Sequence, residues 1–185
     1  MPDAQLKDAE HRMAGAVEAL EHELATVRSG RASGGLVENI KVDYYGTPTP
    51  MNQLANISVP DARLIVIQPY DPSVIGTVEK AILKSDIGLT PSNDGAVIRL
   101  SIPPLTEERR KELAKHVRAR VEDARVAVRN VRRDIHDQIR KMEHDSEISQ
   151  DDLHRAENDL QKVTDEHIKL IDRVGEEKEQ ELLTV

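Results

Sequence analysis

The chain has 185 residues and a net charge of −8, with no Cys, Trp or Phe and only three Tyr. These totals exclude a disulfide framework and a catalytic thiolate, and they predict cores of Leu, Ile, Val, Met and Ala. No apolar run has the length of a membrane span, and the first residues lack the apolar region of a signal peptide, so we expect a cytoplasmic protein.

Residues 3–28 predict a long amphipathic helix. The apolar side chains recur every three or four residues, which places them on one helix face. Asp3 is the expected N-cap, and Ser29-Gly30 is the expected stop. The predicted apolar stripe consists of Leu6, Ala9, Met13, Ala16, Val17, Leu20, Leu24 and Val27.

Residues 31–104 predict a small α/β domain inserted after the first helix. Asp71-Pro72 predicts the start of a short helix, because Asp caps and Pro suits the first helical position. GTPTP at 46–50 predicts a turn. Segments rich in apolar and β-branched residues, several with alternating pattern, predict strands over 36–42, 53–59, 63–68 and 97–102.

The two connections between this insert and the helices suggest a hinge. Glycines lie on one side and two prolines on the other, although prolines that only shape a loop would give the same pattern. The residues of the predicted hinge are Ser29, Gly30, Arg31, Pro103, Pro104, Leu105 and Thr106.

Two further helices follow the insert, and each carries one apolar stripe. The second is expected to begin at Thr106 as N-cap, with Glu107 and Glu108 in its first turn. Its stripe is Leu113, Val117, Val121, Ala124, Val128, Val131, Ile135, Ile139 and Met142. The third is expected to begin at Ser149, with a stripe of Leu153, Ala156, Leu160, Val163, His167, Leu170 and Val174.

Three helices with one stripe each can bury their apolar faces only against one another. We therefore predict an α+β fold in which residues 1–30 and 105–185 form an elongated three-helix bundle. The second helix, at about 38 residues, would be about 57 Å long.

The basic residues of the second helix form another stripe beside the apolar one. Residues 107–144 carry twelve basic and eight acidic side chains, whereas residues 145–185 carry five and thirteen. Several arginines follow a stripe residue by one position, about 100° of helix rotation; they are Arg118, Arg125, Arg129, Arg132 and Arg140. A row of guanidinium groups suits a phosphate backbone, and carboxylates of the third helix could equally neutralise it. The scarcity of aromatic residues favours structured RNA over single strands as the nucleic acid.

Signals of catalysis are weak in this sequence. Neither GxxxxGK nor GxGxxG occurs, and the seven His are scattered. Glu18 and His22 could share a metal ion, but ordinary surface residues explain them as well. Asp71 beside Ser73 is explained by helix capping. We therefore expect no enzymatic activity, no metal and no cofactor.

Five segments together resemble the bacterial ribosome recycling factor family. They are VRSGRA (27–32), VDYYGTPTPMNQLA (42–55), VEKAI with SDIGLTPSNDG (78–95), LTEERRKEL (105–113) and VRNVRRD (128–134). The resemblance covers essentially the whole chain in order, and Ser29 stands where the family more often has Thr.

The resemblance implies an L-shaped, two-domain, monomeric translation factor that is not an enzyme. Such a factor acts with elongation factor G and GTP to split the post-termination ribosome, and it lies on large-subunit ribosomal RNA across the tRNA sites. Arg129 and Arg132 match the family's RNA-contacting arginines, and Arg28 and Arg31 match basic residues at the end of the bundle. The full predicted RNA surface is Arg118, Arg125, Arg129, Arg132, Arg133, Arg28 and Arg31. A helical adaptor or chaperone-like scaffold that binds an acidic protein is the alternative.

Overall fold

The computed structural model describes residues 2–183, which fall into two compact units. Residues 2–28 and 107–183 form one unit, and residues 29–106 form the other. The first unit is a three-helix bundle and the second is a small α/β unit. The predicted α+β fold with an insert after the first helix is therefore confirmed.

The bundle consists of α1 (Asp3–Ala25), α4 (Glu107–His144) and α5 (Gln150–Leu183). The apolar stripe of α4 is buried as predicted except for Met142, which is half-buried. The buried residues of α1 are Ala9, Met13, Val17, Leu20 and Leu24. Each helix buries one face only, so the bundle holds together through the packing of these three stripes.

Two predicted ends of α1 are wrong. Pro2 holds the N-cap position without a side-chain hydrogen bond, and Asp3 lies inside the first turn. There its carboxylate is still beside the positive end of the helix dipole. The helix ends at Ala25, before Ser29-Gly30, and the Thr26 hydroxyl donates to the Glu23 carbonyl at 2.7 Å at this end.

The start of α5 is capped reciprocally. Ser149 Oγ accepts from the Asp152 backbone N–H at 3.1 Å, and Asp152 Oδ2 accepts from the Ser149 N–H at 3.4 Å. This exchange satisfies two backbone donors that the helix itself leaves without partners. It confirms that the third helix begins at Ser149.

The buried face of α5 differs from the predicted stripe. Leu170 is 41% exposed, while Thr164, Ile171 and Gly175 are buried in place of Val163, Leu170 and Val174. Thr164 is accommodated because its hydroxyl donates to the Leu160 carbonyl at 2.7 Å. Gly175 is buried because α4 approaches it closely: a Cβ at this position would lie 2.6 Å from Val121 Cγ2.

The α/β unit contains a hairpin, a four-stranded antiparallel sheet and one main helix. The sheet has the order β3-β4-β6-β5, formed by Ala55–Asp61, Leu64–Pro69, Ile98–Ser101 and Pro91–Asn93. A four-residue helix, α2 (Met51–Leu54), leads into β3. The longer α3 (Ile75–Lys84) follows a short 3-10 turn that Asp71 caps by accepting from the Ser73 N–H, as predicted.

The hairpin pairs β1 (Lys41–Tyr44) with β2 (Thr47–Pro50), so the strand predicted over 36–42 and the turn predicted at 46–50 are misplaced. The actual turn is Tyr45-Gly46, where both residues have positive φ. Two positive φ angles are the mark of the type I′ turn that joins tightly twisted strands. The core of the unit consists of Val37, Val42, Met51, Leu54, Ala55, Ile65, Ile67, Val74, Val78, Ile82, Ile87, Ile98 and Leu100.

Candidate nucleic-acid interface

The arginines of α4 fall into two rows. Arg118, Arg125 and Arg132 are seven residues apart, and each reaches a side chain of α5. We call this row the α4–α5 seam. Arg129, Arg133 and Arg140 lie further round the helix, are exposed, and do not contact α5. The predicted single stripe is thus two rows with different surroundings.

Two seam arginines are neutralised by the bundle itself. Arg118 Nε donates to Glu179 Oε1 at 2.7 Å, and Arg125 Nε donates to Asp172 Oδ1 at 2.9 Å. The Asp172 carboxylate raises the pKa of Arg125, and Arg125, followed by Arg129, lowers the pKa of Glu122. Both arginines thus pair with the acidic third helix, as the alternative interpretation expects, and their assignment to RNA stays a prediction.

Arg132 lies on the same seam but has a neutral partner. Its Nε donates to Gln161 Oε1 at 3.0 Å, and Gln161 Nε2 in turn donates to Asp165 Oδ1 at 2.8 Å. The Gln161 amide therefore lies between the Arg132 guanidinium and the Asp165 carboxylate. Arg132 keeps a positive charge that no directly bonded carboxylate offsets.

Two arginines of the outer row have no partner at all among the described residues. Within residues 2–183, Arg133 and Arg140 have neither a hydrogen bond nor an ion pair. Arg129 contacts only Glu122, at 3.3 Å, and such an exposed pair contributes little. We call Arg129, Arg132, Arg133 and Arg140 the α4 basic surface.

The remaining predicted RNA-binding residues, Arg28 and Arg31, do not belong to α4. Arg28 is exposed at the end of the bundle segment, and Arg31 is exposed at the start of the α/β unit. Arg140 belongs to the surface on its geometry, although the sequence placed it in the stripe without selecting it as a site residue.

The sequence analysis did not predict which carboxylates of α5 bind Arg118 and Arg125. The spacing of these carboxylates along the sequence nevertheless matches that of the arginines. Moving seven residues forward on α4, from Arg118 to Arg125, moves seven residues back on α5, from Glu179 to Asp172. Antiparallel helices with matching seven-residue spacing of opposite charges produce such pairs. The signal becomes useful only when the register between the helices is known.

The predicted hinge residues lie in two irregular segments, at 26–33 and 102–106. Ser29 and Gly30 are buried, and Gly30 has φ of +75°. A Cβ on Gly30 would lie 2.9 Å from Leu105 Cγ, so the two segments meet here. Pro103, Pro104 and Thr106 are exposed.

Other kinds of site find no support in the part of the chain that the structure describes. Its His, Asp and Glu residues form no group of three or more that could hold a metal ion. No helix among residues 2–183 combines the length and apolar character needed to cross a membrane.

The fold and the surface define a class: an α+β protein whose long helical bundle presents a row of arginines, most of them without a carboxylate partner in the described structure. Comparison with known proteins gives the family. The family model described as "Ribosome recycling factor" matches residues 20–183, and the chain belongs to this family.

Relatives and solved structures agree with this assignment. The chain is 59% identical to the ribosome-recycling factor of Geobacillus kaustophilus (strain HTA426) and 54% identical to that of Nitratidesulfovibrio vulgaris (strain DP4), each over 97% of both chains. A solution structure of a ribosome recycling factor is 45% identical, with a TM-score of 0.76 over 100% of this chain and 98% of that chain.

A further similar structure is that of the Thermus thermophilus factor (T. thermophilus). It is 44% identical, with a TM-score of 0.63 over 99% of both chains. That structure consists of models of the factor and of E. coli elongation factor G bound to the E. coli post-termination complex.

Proposed function

We propose that this protein, with elongation factor G and GTP, dissociates the post-termination ribosome into subunits and releases it from mRNA. Membership of the ribosome recycling factor family over nearly the whole chain supports this function. The similar factor described together with elongation factor G on a post-termination complex supports the same partners. We further propose that the protein acts in the cytoplasm, where ribosomes are, as a monomer and not as an enzyme.

The α4 basic surface is the proposed contact with large-subunit ribosomal RNA. The observation that carries this proposal is the difference between the arginine rows. Arg118 and Arg125 are bound to carboxylates of α5, whereas Arg132, Arg133 and Arg140 are not. Guanidinium groups free of carboxylates can pair with phosphates, which releases counterions and makes binding depend on salt.

The uninterrupted α4 supports a stiff bundle, which separating two subunits would require. The buried stripe of α4 continues from Leu113 to Ile139 without an interior Pro or Gly. Energy would come from the GTP that the partner hydrolyses, consistent with the missing glycine-rich phosphate loop. The segments near 29–31 and 103–106 are the proposed hinge for domain movement, and residues 31–104 are the proposed moving domain.

Arginine variants from the two rows test the RNA contact. We expect Arg132→Ala and Arg133→Ala each to weaken binding to vacant ribosomes by about 1–3 kcal/mol and to lower the salt slope by about one. Arg118→Ala is the matched control, because it removes the same side chain from the same helix at a position already neutralised by Glu179. Co-sedimentation over a range of salt concentrations measures both quantities.

If Arg118→Ala and Arg133→Ala reduced ribosome affinity equally, the α4 basic surface would not be the RNA contact. The recycling function itself is tested separately, by following the breakdown of post-termination complexes with elongation factor G and GTP. Breakdown that is no faster with the wild-type protein than without it would refute the function. An acidic-protein adaptor would show neither ribosome binding nor faster breakdown.

A further inference from the structure

The two strands of the β1–β2 hairpin differ in their capacity to pair with a further strand. In β2 threonine alternates with proline, in the sequence TPTP. Because proline has no N–H, Pro48 and Pro50 cannot form the doubly hydrogen-bonded pairs of an antiparallel ladder. Their partners on β1 are Asp43 and Lys41. The N–H and C=O groups of these two partners therefore point away from β2, toward the free edge of β1.

The free edge of β2 is closed to pairing, and that of β1 is open. The two prolines of β2 also occupy its outward positions, so this edge offers no N–H donors there. On β1, no hydrogen bond outside the hairpin ladder joins the N–H or C=O of Lys41 or Asp43 to any residue between 2 and 183. A strand edge with unpaired backbone groups is a template for another strand.

A groove lies beside β1, between this strand and α3. Its volume is about 750 Å³, within the range of ligand sites in proteins. Residues 40–43 line one side, and the residues of α3 that line the other are Thr77, Lys80, Ala81 and Lys84. A groove between an edge strand and a helix is a geometry in which an extended peptide adds to a sheet as a further strand.

The charges of this groove favour an acidic ligand. Three lysines line it, and none of Lys41, Lys80 and Lys84 has a hydrogen bond or an ion pair with another described residue. Two carboxylates also line it, Asp43, which already accepts a backbone N–H of the hairpin turn, and Asp86, which lies beyond the end of α3. The lining is thus net positive in a chain whose net charge is −8, and it attracts carboxylates.

The spacing of two of these lysines fits an extended chain. Lys80 and Lys84 are four residues apart on α3, which is about 6 Å along the helix axis. In a strand, side chains on one face are two residues apart, which is about 6.6–6.8 Å. A strand with an acidic residue at every second position can therefore place one carboxylate at each lysine. Phosphate groups could also meet the lysines, but they have no donors for the two carbonyls of the open edge.

We propose that this groove, which we call the β1–α3 groove, binds an extended acidic segment of another protein. The backbone of the segment pairs with the N–H and C=O groups of Lys41 and Asp43, so that it becomes the third strand of the hairpin sheet. Its alternate Asp or Glu side chains pair with Lys80 and Lys84. The proposal does not depend on the recycling function, because the binding is a property of the purified protein and a peptide.

A short synthetic peptide that alternates Glu and Thr is the probe, and a peptide that alternates Lys and Thr is its control. We expect fluorescence anisotropy to show binding of the Glu peptide only. Lys80→Glu with Lys84→Glu should weaken that binding about tenfold, because attraction becomes repulsion. Lys162→Glu with Lys169→Glu on α5 changes the net charge equally and should leave the affinity near that of wild type.

Amide hydrogen exchange tests the addition of a strand. With the Glu peptide bound, the amides of Lys41 and Asp43 should become protected, whereas those of Val42 and Tyr44, already paired inside the hairpin, should change little. Lys41→Pro removes one donor of the open edge and should weaken binding. Lys41→Thr removes the charge but keeps the N–H, so it should weaken binding less. Thermal melts confirm that each variant folds.

The remaining outcomes overturn the proposal. Failure of the Glu peptide to bind at millimolar concentration, equal affinity for both peptides, or equal loss in both pairs of lysine variants would exclude an acidic ligand in the groove. Binding without protection of Lys41 and Asp43 would exclude strand addition. Tighter binding of an RNA homopolymer at Lys80 and Lys84 would assign the groove to nucleic acid. None of these results bears on the recycling function, which the breakdown of post-termination complexes measures separately.

Discussion

At the scale of single residues, short side chains decide how closely the helices approach. Gly175 lies buried in the middle of α5, where a glycine normally weakens a helix. Its missing Cβ leaves room for Val121 of α4. Thr164, also buried on α5, is likewise small and satisfies its own hydroxyl within the helix. Gly175 and Thr164 therefore allow a close packing of α5 that larger apolar side chains at these positions would prevent.

Replacing Gly175 by Ala should destabilise the bundle by about 1–3 kcal/mol, since the new methyl group would overlap the stiff, branched side chain of Val121. Gly15→Ala on α1 is the matched control, because no heavy atom lies within 4 Å of its added Cβ. We expect that change to stabilise the protein by about 0.5–1 kcal/mol through helix propensity. Urea unfolding measures both, and shifts of the same sign would contradict the close approach.

Asp94 supplies a prediction about pH. Its carboxylate accepts from the N–H groups of Val97 and Ala96 and pairs with Arg99, and these contacts lower its pKa from 3.8 to about 2, the Val97 bond contributing most. Because the folded pKa is below the unfolded one, the stabilisation is present above pH 3.8 and is lost as the pH falls toward 2.

We expect Asp94→Asn to reduce the loss of stability of the α/β unit over this acidic range. Asp86→Asn is the control, since Asp86 has no hydrogen bond or ion pair in the described structure. Unfolding by urea at several acidic pH values checks the slope, and an NMR titration of Asp94 checks the pKa directly. A titration midpoint for Asp94 near the ordinary pKa of an aspartate would show that its hydrogen bonds and its pair with Arg99 do not lower its pKa.

At the scale of elements, α4 has two different faces along one helix. Its apolar face packs into the bundle, and its basic side divides into the α4–α5 seam and the outer row. Arg125 on the seam makes two bonded contacts with carboxylates, while Arg133, eight residues later, makes none within residues 2–183. A helix of this kind can support the bundle and still offer charge to a ligand.

The same substitution, Val to Asp, can be made on the buried face of α4 at Val128 and on its exposed face at Val126. Val128 is fully buried, and Val126, two residues away on the same helix, is 44% exposed. Val128→Asp should destabilise the bundle by about 3–5 kcal/mol, because a carboxylate would be buried without a partner. Val126→Asp should change stability by no more than about 0.5 kcal/mol. Thermal melts measure the two, and similar melting temperatures would contradict the assigned burial.

At the scale of the whole molecule, the proposed function needs two units with different tasks. The bundle provides the α4 basic surface, and the α/β unit is the proposed moving domain. The two irregular segments that join the units meet at Gly30 and Leu105. If these segments are the hinge, a change at their contact should affect recycling more than it affects stability.

Gly30→Ala tests the proposed hinge, with Gly88→Ala as the matched control. Both glycines have positive φ, +75° and +68°, so either alanine costs about 1–2 kcal/mol of backbone strain. Only at Gly30 would the new Cβ also press on Leu105, because no heavy atom lies within 4 Å of the Cβ added at Gly88. We expect Gly30→Ala to slow breakdown of post-termination complexes several-fold more than Gly88→Ala at similar stability. Equal rates would count against the hinge.

The sequence by itself determined the features that depend on near neighbours in the chain. The three-and-four spacing predicted the three helices and nearly the whole buried stripe of α4, and Asp71 and Ser149 were recognised from short motifs as helix starts. Of the two caps, only that of Asp71 was predicted as a cap; for Ser149 the sequence predicted the start of the helix, and the structure showed the capping bonds. These features depend on backbone geometry within one or two helical turns. The family resemblance also came from short segments, because their order along the chain is specific.

Only the tertiary structure decided which charges are left for a ligand. Arg118 and Arg125 are neutralised by residues 61 and 47 positions away, whereas Arg132 meets an amide. That outcome depends on the register and rotation of α5 against α4, which close packing at Gly175 helps to set.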